Sequence, residues 1–201
     1  MIKLESNLVK VVIAFVVATF ILQFINGYTN IFYYNRDSFK KFFYYMWLTP
    51  SLVHINWMHW FLNILNFAAV IFLFSNIWSK KKILLLFALS SLFIMVCLYF
   101  FSKDIDYYAG MSGVLYSFAI YGVLKGYKEY KVVAVIIFIY ILLKIFAHDF
   151  VNQLTFVDKM LDDFTIVTDV HIYGVIFGIA FFVLEYIKDN FFNNTYKLYH
   201  P

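Results

Sequence analysis

Three short stretches hold the side chains of this chain that could do chemistry. Residues 110–113 read GMSG and set Ser112 between two glycines. Residues 54–63 read HINWMHWFLN and carry His54, His59 and Asn63. Residues 169–178 read DVHIYGVIFG and carry Asp169, His171, Gly174 and Gly178. A serine hydroxyl becomes a nucleophile when a base takes its proton, and neutral imidazole is the usual base. His171 is the candidate base for Ser112. Acyl transfer also needs donors aimed at the oxygen that becomes charged. His59 and Asn63 are four residues apart, so they share one helix face and can point at one spot, together with backbone N–H groups near Ser112. Gly110 and Gly113 allow a sharp turn and the close approach of another helix. Gly174 and Gly178 form G-x-x-x-G on the segment that carries His171, a spacing that lets helices touch. Tyr116, one turn after Ser112, is placed to stack on the His171 imidazole.

Each feature has a plainer reading. Small residues are ordinary packing material between membrane helices, and a membrane histidine can serve only as a hydrogen-bonding group. His54 and His59 could be interfacial residues. His54, His59 and His171 could hold a metal, but no carboxylate or cysteine in the same turns completes the set. Asp169 could cap its helix or pair with Lys144. It lies two residues from His171, so it faces another way and is not expected to orient the imidazole.

These residues must be positioned by helices in a bilayer. Of the 201 residues, 64% are hydrophobic and 14% charged, and the mean hydropathy is +0.78; soluble domains are about 25% charged. Six apolar segments are expected to span, over about 8–26, 57–76, 83–101, 110–124, 132–147 and 170–187. A bilayer core of about 30 Å needs roughly 20 helical residues, so the fourth segment is expected to be a short helix inside the bundle, starting below the membrane surface. Lys144 interrupts the fifth, where it can snorkel or find a buried partner. The first apolar run lacks a small-x-small cleavage site and is read as a span. Single Cys97 excludes an internal disulfide.

Positive charge sets the expected orientation. With a cytoplasmic N-terminus, ten lysines fall on inside segments and five Lys or Arg residues outside; the KKK run at 80–82 is the strongest vote. Both termini are then cytoplasmic. The net charge of +4 reads as topology rather than nucleic-acid affinity. The long aromatic loop 26–53 suits the outer interface, and the acidic loop 148–169 suits water. The even-numbered spans all run from outside to inside, so the three polar clusters start at similar depth. The whole chain, 1–201, reads as one polytopic membrane domain.

H-x4-H-x3-N in the second span, G-x-S-G opening the fourth and H-x2-G-x3-G in the sixth resemble the rhomboid intramembrane serine proteases over about residues 45–187. That resemblance implies an all-α, six-transmembrane-helix bundle with a short central fourth helix. It implies a dyad of Ser112 and His171, an oxyanion site using His59 and Asn63, and His54 as the family's outer histidine. It also implies a water-filled pit open to the outer face. Where the family often has Trp-Arg in the first outer loop, this chain has Tyr45 and Met46.

The stretches YYAGMSGVLYSF, YILLKIFAHD and TIVTDVHIYGVIFG are similar to the rhombosortase branch. This implies a protease of a bacterial cytoplasmic membrane. Its substrate would be an exported transmembrane protein with a C-terminal Gly-Gly-type tail: a small-residue motif, an apolar helix and a basic end. No cofactor, metal or nucleic acid is expected to take part. The alternatives are a general rhomboid protease cutting single-pass proteins, and a catalytically silent rhomboid-like binding protein.

Overall fold

The computed structural model describes the backbone of residues 6–147 and 167–199. Seven helices stand among the described residues: α1 (Ser6–Thr29), α2 (Phe43–Met46), α3 (Trp57–Leu73), α4 (Lys80–Phe101), α5 (Ser112–Gly126), α6 (Lys131–Phe146) and α7 (Thr168–Tyr199). Two-residue strands β1 (Tyr34–Asn35) and β2 (Tyr107–Tyr108) pair antiparallel, with Tyr34 opposite Tyr108. The chain is mostly helical, as expected. The helices begin and end within a few residues of the expected bounds, except α7, which continues past residue 187 to Tyr199.

Three helices are long and apolar enough to cross a membrane by length and composition: Ser6–Gly27, Lys80–Phe101 and Thr168–Phe191. The other three long elements are shorter, at 17, 15 and 16 residues for α3, α5 and α6. At about 1.5 Å per residue, α5 covers only about 22 Å. It packs against α3, α4, α6 and α7, and most of its residues are buried.

The outward surface is apolar. Ile13, Val17 and Phe24 on α1 and Val132, Ile136 and Phe146 on α6 are exposed, a coating that suits lipid and would be costly in water. Polar side chains turn inward instead, among them Thr19, Gln23, Asn63, Ser91 and Ser117. Lys144 is also buried, in the last turn of α6, where a cation suits the helix dipole.

The aromatic loop before α3 folds against the bundle. Tyr34, Phe39, Met46 and Val53 are buried there, while Phe43 and Tyr44 keep an exposed edge. Arg36 anchors it. Its guanidinium donates to the carbonyls of Leu98, Tyr99, Ser102 and Ile105 at the end of α4. The helix stops there, so its last carbonyls are short of donors even though Leu98 takes the Ser102 N–H and Ser102 the Ile105 N–H, and a planar fork of donors reaches several at once. At the other end of the bundle Glu185 joins α4, α5 and α7, with Lys82 at 2.9 Å, Lys125 at 3.1 Å and the Tyr121 hydroxyl at 2.5 Å. Of the acidic loop expected at 148–169, residues 148–166 lie outside the described residues.

Candidate active site

The starts of α3, α5 and α7 meet. Gly110 has φ +147, a conformation that L side chains rarely adopt, and the chain turns there into α5. A Cβ on Gly110 would also lie 2.7 Å from Cε1 of His59, so the glycine makes room for that ring. Met111 caps α5 without a side-chain hydrogen bond. The first N–H groups of the helix therefore have no intrahelical carbonyl to bond.

Ser112 is the first residue of α5, and its Oγ lies 3.2 Å from Nε2 of His171. His171 is buried in the first turn of α7. The Tyr116 ring stacks on the imidazole, with centroids 4.3 Å apart and planes 24° from parallel. The α5–α7 contact that brings the two residues together is glycine against backbone. A Cβ on Gly174 would fall 2.0 Å from the Gly113 carbonyl oxygen, and one on Gly178 would fall 2.5 Å from that of Ser117. The Ser117 hydroxyl donates to the Gly174 carbonyl at 2.8 Å, fixing the register.

His59 and Asn63 lie on α3, whose N-cap is Asn56; its side chain accepts from the His59 N–H at 2.8 Å. The His59 ring sits against Gly110, two residues from Ser112. Asn63 is buried, and its amide donates to the His59 carbonyl at 2.8 Å, along its own helix. His54 is 0% exposed, not interfacial. Its Nε2 accepts from the Met111 N–H at 3.4 Å, and its ring meets that of His59 edge-to-face. Burial, with His59 beside it, pushes the His54 imidazole well below its ordinary value. The ring is therefore neutral, as an acceptor must be. Among the described residues, no three His, Cys, Asp or Glu side chains are arranged to hold a metal ion.

Three further residues carry no periodic signal in the sequence. Gln23 on α1 grips the His54 backbone from both sides, accepting from its N–H at 2.6 Å and donating to its carbonyl at 2.8 Å. Tyr108 donates its hydroxyl to the Gly110 carbonyl at 2.6 Å, and its oxygen lies beside the Ser112 hydroxyl and the Gly113 N–H. Burial pushes this phenol up to about 12, so it keeps its proton to donate. Ser102, at the end of α4, donates to the Asp169 carboxylate at 2.5 Å and shares a 2.8 Å hydrogen bond with Tyr173. Asp169 thus ties α7 to α4.

The described geometry is a hydroxyl and an imidazole in contact at the start of a buried helix, with backbone N–H groups and two more histidines around it. The Rhomboid domain family matches residues 41–187. The chain belongs to the rhomboid family. Members of this family are generally serine intramembrane proteases, and the match agrees with a multi-pass membrane protein. A comparison with curated proteins gives no match. The matched span runs from the aromatic loop into α7 and includes every residue of the rhomboid's candidate site except Gln23.

Proposed function

We propose that this rhomboid is a serine endopeptidase that cuts a transmembrane protein near the outer end of its helix. The observation that carries the reading is the 3.2 Å contact between Ser112 Oγ and His171 Nε2 at the open start of α5. The hydroxyl attacks the scissile carbonyl carbon while His171 takes its proton. The carbonyl oxygen becomes an oxyanion, held by the backbone N–H of Ser112 with His59 and Asn63. His171 then gives the proton to the leaving amine as the C–N bond breaks. Water, activated by the same imidazole, resolves the acyl-enzyme. No step asks for a metal or a cofactor. An intact substrate helix hides its carbonyls in hydrogen bonds, so small, helix-breaking residues are favoured at the cut.

The reading extends to a single domain of six spans in a bacterial cytoplasmic membrane, with both termini inside and the site opening outward. The lysine distribution and the common end of the three site helices support it. The substrate proposed is an exported protein with a C-terminal Gly-Gly-type tail, supported by the likeness of YYAGMSGVLYSF to rhombosortases.

The test uses the purified chain in detergent with a fluorophosphonate probe and two reporters, one Gly-Gly-tailed and one an ordinary single-pass protein. Labelling and cleavage of the tailed reporter, both lost in Ser112→Ala and His171→Ala, are the expected result. Cleavage of the ordinary reporter alone would leave a general rhomboid protease. Absence of labelling in the wild type would point to a silent binding protein.

A further inference from the structure

The peptide group between Gly110 and Met111 is the last one before the nucleophile, and both of its ends are held. Its carbonyl accepts from the Tyr108 hydroxyl at 2.6 Å. Its N–H donates to His54 Nε2 at 3.4 Å. The preceding N–H, of Gly110, donates to the Pro50 carbonyl at 2.8 Å. A peptide beside a positive-φ glycine has no Cβ on that side to set its orientation. Rotation about its flanking bonds would exchange the directions of C=O and N–H and shift the start of α5. Tyr108 and His54 oppose that rotation from opposite ends.

Both anchors are themselves fixed. His54 is pinned through its backbone by Gln23 on α1. Tyr108 is pinned by the β1–β2 pairing with Tyr34, on the loop that Arg36 ties to α4. The Tyr108 oxygen reaches the Ser112 hydroxyl and the Gly113 N–H as well. It therefore holds the carbonyl before the turn while lying next to the nucleophile and the helix start.

We propose that Tyr108 is a positioning residue of the nucleophile turn, whose hydroxyl, with His54, clamps the Gly110–Met111 peptide and so aims Ser112 and the first N–H groups of α5. The inference rests on the protease reading above. Donors to an oxyanion work because they are already oriented before the reaction, and a misplacement of about 1 Å can cost about a hundredfold in rate. Tyr108→Phe deletes one oxygen and keeps the buried ring, so packing is nearly unchanged while the carbonyl loses its donor.

The experiment follows fluorophosphonate labelling of the full chain in detergent over time and probe concentration. It compares wild type, Tyr108→Phe and Ser112→Ala. The rate constant at saturating probe is expected to fall about tenfold or more in Tyr108→Phe. The probe concentration at half-saturation and the final labelled fraction stay at wild-type values. A merely structural role would instead lower the labelled fraction, in proportion to unfolded protein, and leave the rate constant of the folded fraction unchanged. That result, or a wild-type rate throughout, overturns the inference while leaving the protease reading intact. A wild type that labels no more than Ser112→Ala overturns both.

Discussion

Gly174 lies so close to Gly113 that a Cβ on the first would sit 2.0 Å from the carbonyl oxygen of the second. Two backbones are in contact there, one helical position after Ser112 and three after His171. Neither side can yield by turning a side chain. Gly174→Ala is therefore expected to force α7 away from α5 and to cost about 2 kcal/mol or more, as overpacking does. It should also abolish probe labelling of Ser112. Gly27→Ala is the matched control, since nothing lies within 4 Å of a Cβ there. Thermal unfolding in detergent and labelling of both variants check this; equal behaviour would refute the backbone contact.

Tyr116 holds the imidazole by its face, not by its hydroxyl. Tyr116→Phe should keep near wild-type cleavage, because the stacked ring remains. Tyr116→Ala should lower the turnover rate by about two- to tenfold, the equivalent of about 0.5–1.5 kcal/mol for an aromatic pair. Reporter cleavage rates for the two variants decide it.

Arg36 satisfies four carbonyls at the end of α4 and the loop beyond it. Arg36→Ala is expected to destabilise the protein by about 2 kcal/mol or more, since hydrogen bonds to a charged group contribute about 1.5–3 kcal/mol each. Arg36→Lys should recover little of this, because one ammonium cannot reach carbonyls spread around a helix end. Unfolding midpoints of both variants test the claim, and full rescue by lysine would contradict it.

His54 is held below its ordinary titration range by burial, with a contribution from His59. Its folded value is depressed, so the unfolded chain takes up a proton first as pH falls. The stability that depends on neutral His54 is fully present above about pH 6.5, the ordinary value. It is lost as pH falls from there toward the folded value, at up to about 1.4 kcal/mol per pH unit. His54→Gln offers Met111 an acceptor that does not titrate. Its unfolding midpoint should fall less between pH 7 and pH 5 than that of the wild type. His59 faces His54 in both proteins; an identical slope would mean that His54 is not involved.

Sequence by itself determined the apolar character of the chain, the approximate helix bounds and the three clusters that carry Ser112, His59, Asn63 and His171. It could do so because these properties are local. Hydropathy runs mark helices, G-x-x-x-G marks a face that can approach closely, and an i, i+4 pair shares a face. The family's motifs are local strings too. Even the stacking partner of His171 could be named, because Tyr116 lies one turn from Ser112.

What only the tertiary structure decided lies between residues far apart in the chain. Gln23 and His54 are 31 residues apart, and Arg36 and Leu98 are 62 apart. Their bonds leave no periodic trace in either segment. The short β1–β2 pairing, the burial of His54, and the turn of the Asn63 amide toward its own helix were equally hidden. Each follows from which backbone groups the folded chain leaves unpaired, and in a bilayer such groups must find partners inside the protein. Tyr108 shows the difference most plainly. In the sequence it is one tyrosine among 17; in the fold its hydroxyl reaches Gly110, Ser112 and Gly113 together.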